Sequence, residues 1–169
     1  MTNIQIFGGP GTGKSTFAAG LFYKMKKDNL KVEYIQEYAK DLTYGADDVK
    51  LNDQLLILAE QHHRLLRVSP HVDYVIRDSP FLLSLIYQNP NDKHLDNFKF
   101  ADLVLSMYRS YNNINIFLNR NFEEAKAIDS EIKSLLYFYD IPYTEFESEN
   151  LDSDYQNIIK LIQSKKTVQ

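Results

Sequence analysis

Residues 7–16, Phe7-Gly8-Gly9-Pro10-Gly11-Thr12-Gly13-Lys14-Ser15-Thr16, contain a complete phosphate-binding loop. The run matches G-x-x-x-x-G-K-[ST], in which successive backbone N–H groups wrap the phosphates of a nucleotide. Lys14 is placed to reach the β- and γ-phosphates, and the Ser15 hydroxyl to join the shell of a bound Mg²⁺. Gly9, Gly11, Thr12, Gly13 and Thr16 complete the candidate nucleotide cradle, with glycine where the backbone must approach the anion closely. The flanks agree. Ile4 and Ile6 alternate before the loop as in a strand, while Phe17, Leu21 and Met25 follow at helical spacing. A helix N-terminus is therefore aimed at the anion, where its free N–H groups and dipole favour negative charge.

Working outward, the chain of 169 residues, 44% of them hydrophobic, suffices for one domain with a real core. We read residues 1–169 as a single domain without repeats or linkers. There is no cysteine, which excludes disulfides and cysteine-ligated zinc or iron–sulfur centres. The first residues enter a strand at once, leaving no room for a signal peptide, and no apolar run would cross a bilayer. The expectation is a cytoplasmic protein without a membrane partner. With 19 basic and 23 acidic residues the formal charge is −4, which argues against a dominant non-specific grip on nucleic acid.

Strand and helix signals alternate throughout. Strands are expected at about 2–7, 31–36, 72–77, 114–118 and 142–146. Helices are expected at about 14–28, 48–67, 81–87, 97–111, 122–139 and 151–164, with a loop around Gly45 before the long second helix. On that helix Leu51, Leu55, Leu58, His62 and Leu65 are read as the buried face. Such alternation implies an α/β fold, a mostly parallel five-stranded sheet covered by helices on both faces. Ligands then bind beyond the carboxyl ends of the strands.

That rule selects the remaining candidates. Asp78 closes the third strand, where a carboxylate can hold Mg²⁺; the competing reading is a cap for the helix after Pro80. Glu37 closes the second strand and could take the proton of an acceptor hydroxyl. Gln54 and Gln61 lie seven residues apart on one helix edge, suited to a planar base with donors and acceptors, or simply solvated. Arg64 on the same helix could meet phosphates, though a surface ion pair is the commoner fate. The histidines have no metal-ligand spacing.

The segments Gly8–Ser15, Glu37-Tyr38-Ala39-Lys40, Asp53-Gln54, Ala59-Glu60-Gln61-His62 and Asp78-Ser79-Pro80 occur in an order that resembles small phage P-loop kinases. That group includes 5-hydroxymethyluracil DNA kinases. The chain is similar, more distantly, to nicotinamide riboside kinases and deoxynucleoside kinases. The resemblance implies a P-loop NTPase three-layer sandwich and an ATP- and Mg²⁺-dependent kinase. It also implies a nucleoside-type or modified-DNA acceptor and, for a phage-encoded protein, the host cytoplasm. By it, Lys14, Ser15 and Thr16 match the nucleotide and Mg²⁺ positions, Glu37 the strand-two carboxylate near the acceptor and Asp78 the strand-three carboxylate. Tyr38, Gln54, Gln61 and Arg64 are taken beside them as candidate acceptor contacts; a homodimer is left open.

One departure stands out. Such kinases often carry an arginine-bearing lid after the fourth strand, whereas here Leu118-Asn119-Arg120 is followed within a few residues by helix signals. Arg120, or in its place Arg109 or Arg77, is then the arginine available to the phosphates. Loss of such a charge can cost a factor of about 10³. An NTPase switch and a nucleotide-binding protein lacking catalysis are the competing classes.

Overall fold

The computed structural model describes residues 1–119, 126–147 and 149–164. Five strands, β1 (Thr2–Phe7), β2 (Val32–Ile35), β3 (Tyr74–Arg77), β4 (Asn112–Asn119) and β5 (Thr144–Glu147), form one sheet in the order β2-β3-β1-β4-β5. Every strand pair is parallel. The helices are α1 (Lys14–Lys27), α2 (Tyr38–Tyr44), α3 (Asp48–Leu51), α4 (Gln54–Val68), α5 (Leu83–Tyr87), α6 (Asn97–Arg109), α7 (Lys126–Phe138) and α8 (Leu151–Ser164). None of the described helices is long and apolar enough to cross a membrane.

Two cores sandwich the sheet, giving the expected three layers. On one face Ile4, Ile6, Ile76, Ile114 and Ile116 pack with Phe17, Leu21 and Met25 of α1 and Tyr155, Ile158 and Ile162 of α8. On the other, Phe7, Val75 and Phe117 pack beneath Leu58 and Leu65 of α4, Phe100 and Val104 of α6, and Ile132 and Leu136 of α7. This second face also buries Asn3, Gln5 and Asn115. Burying an amide costs free energy unless it is hydrogen-bonded. Accordingly Asn3 and Gln5 both donate to Asn113 Oδ1, at 3.0 and 2.7 Å, and Asn115 Nδ2 donates to the Tyr108 hydroxyl and the Pro142 carbonyl.

The structure revises three sequence expectations. The segment after Glu37 is a helix, α2, ending at Gly45, rather than a loop. The long helix expected over 48–67 is broken: Asp53 accepts a hydrogen bond from the Leu56 N–H at 2.9 Å and so caps a new helix, leaving α3 as a separate turn. Finally, the buried face of α4 is Gln54, Ile57, Leu58, Gln61 and Leu65, while Leu55 is 44% exposed. The face is rotated so that glutamines, not leucines, occupy two of its inward positions.

Candidate active site

The phosphate loop connects β1 to α1 in the middle of the sheet, and its backbone requires glycine. Gly13, at the N-cap of α1, has φ 87°, and no side chain caps the helix, so its first N–H groups are free for an anion. Gly8 has φ 144°, and a Cβ there would come within 2.8 Å of Thr12 Oγ1 and 3.2 Å of the Leu118 carbonyl. Within the loop, the Gly9 carbonyl accepts from Lys14 Nζ at 2.9 Å and from Thr12 Oγ1 at 2.8 Å. Thr12 is buried; Gly11 and Thr16 are exposed.

Three carboxylates surround Lys14. Burial lowers its pKa, and the negative charges of Glu37, Asp78 and Asp129 oppose that shift. Glu37, half-buried at the N-cap of α2, is pushed upward by burial and by Asp78, and held back by Lys14 and Lys40. Asp78 is 2% exposed just beyond β3; its Oδ2 accepts from the Tyr34 hydroxyl at 2.6 Å. The Ser15 hydroxyl is in hydrogen-bonding contact with the same phenol, whose pKa is raised by burial and by Asp78. Tyr34 thus links the two residues proposed for Mg²⁺. The cap reading of Asp78 does not hold, because α5 starts from Leu82 without a side-chain cap.

The donor set fits Mg²⁺. Asp78 Oδ1 is buried without a hydrogen-bond partner, and the Ser15 hydroxyl lies on the same phenol as Oδ2. No group of three His, Cys, Asp or Glu suited to a metal occurs among the described residues. Hard oxygen ligands, few from protein and the rest from phosphate and water, are what Mg²⁺ uses.

Beside the loop, a cavity of about 440 Å³ is walled by α2 (Ala39, Lys40, Thr43), the α3–α4 turn (Leu51, Asn52), α4 (Gln54, Ile57) and α5 (Leu83, Ser84, Tyr87). Glu37 and Ser79 also line it. A larger groove of about 750 Å³ runs along α7, from Lys126 and Asp129 to the exposed Tyr137 and Phe138.

The structure brings Lys14, Ser15, Glu37 and Asp78 together and places Gln54 in the cavity wall, but it redirects the other acceptor candidates. Gln61 is not part of the wall; it is 3% exposed, with Oε1 3.5 Å from Arg77 Nη2. Arg64 donates to Asp41 at 2.9 Å and to Glu60 at 3.1 Å, and stacks over the Tyr38 ring at 4.9 Å. Arg64 and Tyr38 therefore fasten α4 to α2 rather than line the cavity. Arg77 is fully buried under Phe81 and donates to the Ser79 carbonyl at 3.0 Å, and Arg109 ends α6 at the amino edge of β4. Neither can stand in for a lid arginine. Arg120 lies outside the described residues.

Sequence reasoning missed Tyr34, Tyr87 and Asp129. Tyr34 reads as an ordinary strand residue. Tyr87 closes the cavity from the end of a short helix, its pKa raised by burial and by Glu37, Asp129 and Glu131. Asp129 had a legible signal: with Ile132 and Leu136 it occupies i, i+3 and i+7 on the inward stripe of α7.

No protein-family model and no curated protein sequence matches the chain. Solved structures do. A NadR protein in complex with NAD and AMP-PNP aligns over 99% of this chain with TM-score 0.64 and 12% identity, and this chain spans half of that one. Deoxyadenosine kinase from M. mycoides with bound dATP aligns over 95% of this chain and 99% of its own, at TM-score 0.53 and 18% identity. Thymidylate kinase from Ehrlichia chaffeensis aligns over 96% and 98%, at TM-score 0.61 and 12% identity. The chain therefore has the P-loop α/β fold found in these nucleotide-handling proteins, with its phosphate loop at the centre of the sheet.

Proposed function

We propose that the chain is an ATP-dependent kinase that transfers a γ-phosphoryl group to a hydroxyl of a nucleoside-type acceptor. The observation that carries this reading is the position of Glu37, which lines the cavity and also acts electrostatically on Lys14 of the phosphate loop. One carboxylate thus belongs to both the acceptor space and the phosphate site. The acceptor oxygen forms the new bond to the γ-phosphorus, the bond to the β–γ bridging oxygen breaks, Glu37 takes the hydroxyl proton, and ADP leaves. Lys14 and the free N–H groups of α1 offset charge on the phosphates. Mg²⁺, held by Asp78 and Ser15, supplies further neutralisation when bound.

The charged groups on the cavity wall are Glu37 and Lys40, one of each sign, with no arginine among the described lining residues. Such a wall suits an acceptor that brings no phosphate into the cavity. A free nucleoside satisfies this, and so does a base turned out of DNA, whose phosphates stay outside. The sequence resemblance favours the second form, with the 5-hydroxymethyl group of 5-hydroxymethyluracil as acceptor. Labelled ATP offered with nucleosides, nucleoside monophosphates, nicotinamide riboside, and DNA with or without 5-hydroxymethyluracil tests both. Label on a nucleoside or on the modified DNA supports the reading. Preferential labelling of monophosphates would contradict the neutral wall, and acceptor-independent release of phosphate would favour an NTPase switch.

A pH profile follows from the burial of the same groups. Glu37 must be ionised to accept a proton, and its pKa is raised above the ordinary 4.5, so kcat/KM begins to fall at a higher pH than a solvated glutamate would dictate. Lys14 must be charged, and its pKa is lowered from 10.5, so the alkaline fall begins early. An acid limb at or below 4.5 would remove Glu37 from the role of base.

A further inference from the structure

Gly9 is held on both sides of its Cα. Its carbonyl accepts from Lys14 Nζ, and its N–H donates to Asp129 Oδ1 at 2.5 Å, across 120 residues of sequence. Asp129 is presented by α7, which is itself clamped. One turn later Lys133 Nζ bonds Glu145 Oε1 at 2.9 Å and Asn119 Oδ1 at 3.4 Å, and lies 4.5 Å from the centre of the Phe117 ring. Asn119 Nδ2 closes the triangle by donating to Glu145 Oε2 at 2.7 Å. Ile132 and Leu136, on the stripe that includes Asp129, are fully buried against the sheet.

We propose that Asp129 is a positioning residue of the phosphate site: by holding the Gly9 N–H it restrains the φ and ψ of Gly9 and so fixes the carbonyl that orients Lys14. A carboxylate is a stronger acceptor for an N–H than a neutral oxygen. With the Gly8–Gly9 peptide pinned through its N–H, the next peptide, which carries the Gly9 carbonyl, can turn only about the Gly9 φ and ψ, and Lys14 and Thr12 hold that oxygen from the other side. Asp129 also adds negative charge beside a buried ammonium, favouring the charged form needed to meet phosphate. Asp129 thereby acts through Lys14, without forming or breaking bonds itself. The proposal rests on the nucleotide-binding reading of the loop.

The test pairs Mg·ATP binding with a direct readout of the Gly9 amide. Asp129→Ala is expected to raise the Kd for Mg·ATP about tenfold, and Asp129→Asn, which keeps an oxygen acceptor but no charge, by less. The KM for the acceptor stays unchanged in both. The Gly9 amide proton resonates downfield in the wild type, moves partway back in Asp129→Asn and returns to the ordinary range in Asp129→Ala. Unchanged ATP affinity, a parallel rise of both substrates' constants, or a Gly9 resonance indifferent to Asp129 would overturn the proposal. If the wild-type protein bound no Mg·ATP, the kinase reading would fall, while the Gly9 resonance would still decide whether Asp129 holds the loop.

Discussion

Glu37→Gln lowers phosphoryl transfer to the preferred acceptor by about 10³ while the Kd for Mg·ATP changes by less than about twofold. Glutamine keeps the shape and hydrogen-bonding reach of the side chain but cannot take a proton. Glu37 is the single carboxylate on the described cavity wall, so no neighbour there replaces it. The substitution also removes the largest of the three negative influences on Lys14, so the alkaline limb of ATP binding moves to lower pH. Single-turnover transfer and equilibrium binding, measured on the same preparation, separate the two effects. Transfer at the wild-type rate would mean that the proton leaves by another route.

Asp78→Asn raises the Mg²⁺ concentration needed for half-maximal rate by about 10- to 100-fold, and leaves metal-free nucleotide binding intact. Asparagine can still accept the Tyr34 hydroxyl through its one oxygen, so the hydrogen bond that fixes the side chain survives. What is lost is the charge, together with the second carboxylate oxygen that the protein leaves buried and unpaired. Such an oxygen is costly unless something else binds it. A Mg²⁺ titration of the rate measures the effect directly. An unchanged Mg²⁺ requirement would assign Asp78 a purely structural part beside Tyr34.

The limits of legibility are clearest on α4. A helical period separates apolar from polar positions, and on that basis Leu55 belonged inside and Gln61 near the edge. The fold places Gln61 inward because Arg77, on the strand beneath, is fully buried and presents guanidinium donors to it. Likewise Asn3, Gln5 and Asn115 break the apolar pattern of central strands: the parallel register of β1 against β4 brings Asn3 and Gln5 to the Asn113 amide oxygen, while Asn115 donates to the Tyr108 hydroxyl and the Pro142 carbonyl. A one-dimensional pattern carries no information about which strand lies alongside. Alternation of strand and helix, by contrast, depends on neighbours in sequence, and the three-layer architecture was correctly expected from it.

The sequence by itself determined the phosphate loop, the strand before it and the helix after it, because that chemistry is contiguous: every N–H, the lysine and the hydroxyl lie within residues 8–15. It also placed Glu37 and Asp78 at strand ends, where a parallel sheet collects its ligands. Only the tertiary structure decided which side chains join them. Tyr34 meets Asp78 across 44 residues and Asp129 meets Gly9 across 120. Both contacts exist because sheet order and helix docking, set by burial on two faces at once, bring distant segments to the same carboxyl edge.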